Sequence, residues 1–146
     1  MRKIILVVLS TVALAVPSAN AFAAARQAVS NTTVKKKVVV ATKSFTGAAA
    51  EADRWGPLQV TIVVKKTTTT IGTKKTVARK ITNVTVPVSP NHTDRSIYIN
   101  QQALPYLIQE TLKAQSSRIY VVSGATNSSD AFAQSLQAAI VNAKAW

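Results

Sequence analysis

No cysteine occurs anywhere in the chain. Disulfides, thiolate metal sites, iron–sulfur clusters, covalent haem and lipid attachment at a leader cysteine are therefore excluded. Histidine occurs once. His92 stands alone in Pro90-Asn91-His92-Thr93-Asp94 and reads as a solvent-facing imidazole, with no second histidine for a metal site and no nucleophile beside it. Acidic residues are scarce as well. Glu51, Asp53, Asp94, Glu110 and Asp130 show no paired spacing for acid–base work, so neither a metal nor a catalytic side chain is expected. Aromatics make up 5% of the residues, and none interleaves with Lys35-Lys36-Lys37, Lys65-Lys66 or Lys74-Lys75. Bases would find nothing there to stack on, and nucleic acid is not an expected partner. Two-electron chemistry, if present, has to come from an organic cofactor.

A long hydrophobic run is missing too. Ile4 to Val16 is the longest apolar stretch, about 13 residues with Ser10-Thr11 inside it, against the roughly 20 that a bilayer span needs. It follows the basic start Met1-Arg2-Lys3 and ends at Pro17, with small residues in Ala19-Asn20-Ala21. That is the layout of a secretory signal peptide, expected over residues 1–21. Cleavage after Ala21, cleavage near Ala23-Ala24-Ala25, and retention as an uncleaved anchor all stay open. Residues 22–36 are rich in Ala, Ser, Thr and Asn without a period and read as a flexible stalk. Residues 37–146 are the length of one ordinary domain. The formal charge is +13, and +11 once Arg2 and Lys3 leave with the leader. Such a surface is attracted to anionic membrane or anionic wall polymer, or serves solubility alone.

The periodicity predicts an α+β domain, an antiparallel sheet with a long hairpin packed against two to three helices. Val38, Val40 and Thr42 alternate with Val39 and Ala41, which suits a first strand closing at Gly47. Ala48 to Asp53 is a helical turn or a loop. Leu58, Val60, Ile62 and Val64 point one way and Gln59, Thr61, Val63 and Lys65 the other. Thr67 to Thr73 reads as the polar tip of the hairpin, and Val77 to Val88 as its return strand. Helical spacing takes over at Asp94, with Ile97, Leu104, Leu107, Ile108 and Leu112 on one stripe. Pro105 predicts two helices meeting near Ala103. Ile119–Val122 is expected as a short strand, and a last helix from about Asp130 buries Phe132, Leu136, Ala139, Ile140 and Ala143.

Chemistry is expected between these last two elements, at Ser123-Gly124-Ala125-Thr126-Asn127-Ser128-Ser129. Small residues at a helix N-terminus make a phosphate cradle, because unpaired backbone N–H groups and the positive end of the helix dipole point outward. Gly124 lets an anion come close, and the hydroxyls of Ser123, Thr126, Ser128 and Ser129 add donors. A plain Ser129 N-cap would account for part of the same pattern.

From about Phe45 to Ala143 the chain resembles the small FMN-binding domain family. That family includes the C subunit of the sodium-pumping NADH:quinone reductase, the G subunit of Rnf complexes and stand-alone exported actinobacterial domains. The landmarks run in order: Arg54-Trp55-Gly56-Pro57-Leu58-Gln59-Val60, Ile81-Thr82-Asn83-Val84, Asp94-Arg95-Ser96, Ile99-Asn100 and Ala103-Leu104-Pro105 with Gln109-Glu110. Ala114-Gln115-Ser116, Val122-Ser123-Gly124-Ala125-Thr126 and Gln134-Ser135-Leu136-Gln137 complete them. The resemblance implies FMN held by Ser123, Gly124, Ala125 and Thr126. It also implies a phosphoester two residues after that tetrad, at Ser128, made from FAD by an exported, magnesium-dependent flavin transferase. Two positions depart from the family pattern: Ser128 stands where the family has threonine, and Tyr120 where it usually has aspartate.

The resemblance further implies that Trp55 and Gly56 lie against the isoalloxazine, where Gly56 gives the ring room and Trp55 stacks on it; Trp55 as a core aromatic stays open. Arg95 reaches the phosphate or flavin edge, or is an exposed salt-bridge partner. Asn100 hydrogen-bonds the ring or caps a helix turn. The expected function is an exported FMN-binding electron-transfer flavoprotein, fed by a membrane-bound donor, in the cell envelope or secreted. The alternative is a cofactor-free basic module that binds wall polymer or membrane surface.

Overall fold

The computed structural model describes residues 35–146, so the signal peptide and all but the end of the stretch read as a stalk lie outside the described residues. Lys37–Thr70 with Lys74–Trp146 form one compact unit, which holds nearly all of the elements that follow. The elements are β1 (Lys36–Thr46), β2 (Ala50–Glu51), a single 3-10 turn (Asp53–Trp55), β3 (Pro57–Ile71), β4 (Lys74–Val88), α1 (Asp94–Ala114) and α2 (Thr126–Lys144). This is the expected α+β arrangement, an antiparallel four-stranded sheet with two helices. Among the described residues no helix is long and apolar enough to cross a membrane.

β3 is the hub, because β1, β2 and β4 all pair with it. Its alternation is the one read from the sequence: Leu58, Val60, Ile62 and Val64 are all buried. One edge of β3 serves two partners in turn. The Gly47 N–H donates to the Val60 carbonyl at 2.9 Å, while Ala50 and Glu51 stand opposite Leu58 and Pro57. Between them the chain leaves the edge, and the Val60 N–H would be stranded in the core. The Ser135 hydroxyl of α2 accepts it at 2.9 Å, as a buried donor requires.

That bond holds α2 so close to the sheet that Gly47 has no room for a side chain. A Cβ there would stand 1.9 Å from the Ser135 carbonyl oxygen. Asn142 adds a second tie by donating to the Thr46 carbonyl at 3.2 Å. The inner face of α2 then buries Phe132, Leu136, Ala139 and Ala143 against β3, with Ile140 half-buried. Leu107 of α1 joins the same core, Leu104, Ile108 and Leu112 lie half-buried against it, and Ile97 is exposed. Trp146 closes the far end of α2: its ring meets Phe45 at 5.5 Å, and Lys66 and Arg79 donate to its backbone oxygen.

Five expectations are corrected. The run Thr67–Thr70 is strand and not tip: β3 continues to Ile71, and Gly72-Thr73 alone makes the turn, with Gly72 at φ +60°. β-Branched threonines suit an extended strand, and a two-residue hairpin turn needs positive φ where glycine stands. Helix α1 is continuous through Pro105, not two helices. Pro105 and Gln101 are both exposed, so the carbonyl that loses its intrahelical partner faces water. Ile119–Val122 forms no strand: none of its residues is buried, and its backbone groups are used locally by Ser117, Ser129 and Ala125. α2 begins at Thr126, not near Asp130. Ala48 to Asp53, expected as a helical turn or a loop, supplies β2 at Ala50–Glu51 before Asp53 opens the 3-10 turn.

Gly47→Ala is expected to destabilise the domain by about 3 kcal/mol or more, since backbone has to move to admit one methyl. Ser135→Ala removes the acceptor for the buried Val60 N–H and is expected to cost about 1–3 kcal/mol. Urea unfolding midpoints at unchanged m-value measure both.

Candidate functional site

The loop ahead of α2 is shaped by its own hydrogen bonds. The Ala125 N–H donates to the Val122 carbonyl at 3.0 Å, closing a turn that passes through Gly124 at φ +81°. Ser129, one helical turn in, ties both ends of that loop. Its hydroxyl accepts from the Val122 N–H at 3.1 Å and donates to the Ala125 carbonyl at 2.9 Å. It is therefore a buried clamp and not the N-cap that its sequence position suggested. Ala125 occupies the N-cap position and has no side chain able to cap. Ser129 is the first residue whose N–H bonds back, to Ala125 at 2.9 Å. The N–H groups of Thr126, Asn127 and Ser128 thus have no acceptor inside the helix. They open a 19-residue helix, whose dipole puts partial positive charge at the same place.

These groups line a hollow of about 210 Å³. The 3-10 turn contributes Trp55, the first turn and a half of α1 contributes Arg95, Ser96 and Ile99, and the loop contributes Gly124 through Ser128. α1 starts here with a full capping box. Thr93 accepts the Ser96 N–H at 3.1 Å, and Ser96 returns the bond to Thr93 N–H at 3.2 Å. Two helices therefore begin at one hollow, one satisfied by its own cap and one not. Arg54 stacks over the Trp55 ring at 5.3 Å, and Asn127 donates to Asp53 at 3.4 Å, which ties the 3-10 turn to α2.

Of the residues expected at the site, Gly124, Ala125, Thr126, Ser128, Trp55 and Arg95 come together around this hollow. Ser123 does not line it. It lies in a neighbouring apolar hollow of about 330 Å³ with Tyr98, Tyr106 and Val122, which shares Gly124 and Ala125 as a wall. Gly56 does not line the first hollow either; a Cβ placed there would stand 3.9 Å from the His92 imidazole. Asn100 is elsewhere. Its amide donates to the Pro90 carbonyl at 2.8 Å, which pins the loop before α1, and its side chain is buried. It sits one helical step past Ile99, on a different face, so spacing along the sequence misplaced it. Ser96 and Ile99 line the hollow without being expected as site residues, and Asn127, within the expected loop, lines it as well. The Thr93-x-x-Ser96 spacing is a capping-box signal, and Arg95 with Ile99 is an i, i+4 pair; both were there to find.

The arrangement suits a phosphate with a flat apolar group beside it. Unpaired N–H groups and Arg95 meet the anion, Trp55 and Ile99 offer apolar surface, and a Cβ built on Gly124 meets no atom within 4 Å, so the space in front of the loop is open. The FMN-binding domain family matches residues 53–141, from the 3-10 turn to the last turns of α2. The chain belongs to that family. FMN is its cofactor, and the cradle fits it. No curated protein matches the chain.

A valine at Gly124 would hold a β-branched residue at φ +81° and put its methyls into the open space in front of the loop. Gly124→Val is expected to weaken FMN binding by at least tenfold while costing the apoprotein only about 1–2 kcal/mol, the strain of a left-handed residue. Flavin titration alongside thermal unfolding separates the two effects.

Proposed function

We propose that this FMN-binding domain is an exported electron carrier that works outside the cytoplasm. The observation that carries the reading is the uncapped start of α2, three free N–H groups facing a hollow bounded by Arg95 and Trp55. FMN supplies the chemistry when bound, since its ring exchanges one or two electrons. The protein's own part is to bind and to orient. The Thr126, Asn127 and Ser128 amides and the Arg95 guanidinium take the phosphate; Trp55 lies against the ring, and Ser129 keeps the loop from opening. Export follows from the basic, apolar and small-residue start of the sequence. A membrane-bound reductase is the electron donor that such a location calls for.

The cofactor is held covalently at Ser128. Ser128 lines the hollow at the third residue of α2, where the helix dipole favours a phosphodiester by roughly 0.3–1 kcal/mol. No protein group takes up its hydroxyl among the hydrogen bonds of the described residues that hold this loop. In the reaction a flavin transferase delivers FMN from FAD. The Ser128 Oγ–phosphorus bond forms, the pyrophosphate bond breaks, AMP departs and the hydroxyl proton is released. Serine presents the same nucleophilic oxygen as threonine and lacks only the methyl that restricts its rotamer. A covalent bond prevents loss of cofactor to the medium.

Co-expression with a flavin transferase, followed by intact-mass measurement under denaturing conditions, tests this. The expected result is a gain of one FMN minus water, absent from Ser128→Ala. A yellow native protein of unmodified mass would leave a non-covalent carrier, and label on Thr126 would place the attachment two residues earlier. A colourless protein after expression with flavin available would overturn the carrier itself.

A further inference from the structure

Charge is segregated along the sheet. β1, β3 and β4 contain no aspartate or glutamate; all five acidic residues lie on β2, the 3-10 turn and the two helices. The same three strands carry Lys37, Lys43, Lys65, Lys74, Lys75 and Lys80, besides the Lys66 and Arg79 that hold Trp146. The end of α2 reaches this part of the sheet only at Lys66, Arg79 and Lys80. Gln115, just past α1, clasps the free edge of β4 at Ile81, with its side chain accepting the Ile81 N–H at 2.7 Å and donating to the Ile81 carbonyl at 3.0 Å. Beyond that clasp no residue of β4 from Lys74 to Lys80 is buried, and none of β1 from Lys37 to Ser44, whichever way it points. A strand packed on one face alternates between buried and exposed; these do not, so among the described residues neither face of these stretches has a cover. Val38, Val39 and Val40 are each about half exposed among the lysines, and Val77 nearly so.

We infer that this bare three-stranded arm is a docking surface for an anionic phospholipid bilayer. Three physical points select that occupant. A second copy of the arm would bring cation against cation, and lysines along free strand edges oppose such pairing. A soluble polyanion would satisfy the lysines but leave the valines in water. A bilayer interface takes both, because ammonium groups meet lipid phosphates while lysine stems and valines reach the boundary of the acyl region. The position on the chain also suits a carrier. Trp55 and the FMN cradle lie at the start of β3 and the cations begin at Lys65, roughly 25 Å further along at a strand's rise per residue. A domain seated by its arm keeps the cradle clear of the lipid. The inference rests on the exported reading only for which membrane is met, and not on how FMN is attached.

The test is sedimentation of the FMN-loaded protein with phosphatidylcholine–phosphatidylglycerol vesicles, compared with pure phosphatidylcholine vesicles. The Lys37→Gln/Lys74→Gln/Lys75→Gln variant shares every other residue with the parent, leader included, so the difference between them reads the arm alone. Each cation near an anionic surface contributes about fivefold in affinity, so the triple variant is expected to bind about a hundredfold more weakly. Its FMN content and circular dichroism should match the parent's. Raised salt should weaken the parent and hardly affect the variant. Val38→Ser/Val40→Ser should lower vesicle binding while leaving adsorption to soluble polyglycerol phosphate unchanged. Equal binding of parent and triple variant to the anionic vesicles would overturn the inference. So would a parent that binds polyglycerol phosphate and not vesicles, which would make the arm a polymer site.

Discussion

Everything in this domain hangs on how closely α2 is pressed to the sheet. The contact is made where the backbone of β3 lacks a strand partner, and the Ser135 hydroxyl supplies what the strand ladder does not. Gly47 makes the approach possible by offering no side chain to the Ser135 carbonyl. Once that point is fixed, Phe132 and Leu136 fall onto the alternating face of β3 and complete the core. The helix N-terminus is then carried to the start of β3, beside the 3-10 turn that holds Trp55. One helix therefore both anchors the fold and presents the open hollow, and its parts divide the work. Its middle is anchored by burial, and its first turn is left unsatisfied.

The unsatisfied turn would be costly in the interior of a protein, and here it opens onto a hollow although Ser128 itself is buried. Thr126 and Asn127 are exposed, and the amides open onto a hollow that water or an anion can fill. Ser129 makes this arrangement rigid. By holding Val122 and Ala125 with one hydroxyl, it stops the loop from folding back to cap the helix with its own side chains. Ser96 does the opposite for α1, whose start is closed by the box with Thr93. The contrast between two adjacent helix starts, one sealed and one open, is what distinguishes a binding site from an ordinary helix end.

Charge follows the same division. The helical end mixes cations and carboxylates, while β1, β3 and β4 carry cations and no carboxylate. A sheet uncovered on both faces gains little from burial, and its stability has to come from strand pairing and β-branched residues such as Thr67–Thr70. Lysines at both free edges also keep it from templating further strands.

Much of this was legible in the sequence, and the failures share one cause. The alternation from Leu58 to Val64, the strand ending at Gly47, the buried stripe of α2 and the small-residue loop at Ser123–Ser128 were all readable, because each depends on local periodicity or on glycine's freedom of φ. What went astray depended on the environment of a residue and not on its type. Pro105 breaks a helix only where the freed carbonyl cannot reach water. Ile119–Val122 is apolar enough for a strand, but Ser129 and its neighbours use its backbone groups first. Asn100 and Ile99 are adjacent in sequence, yet a 100° step around α1 sends one to the loop at Pro90 and the other to the hollow. The sequence by itself determined the main strands and helices, the net charge and the small-residue loop ahead of α2. Only the tertiary structure decided which side chains meet around it and that the lysines of three strands form one surface, because both follow from distances between segments far apart in the chain.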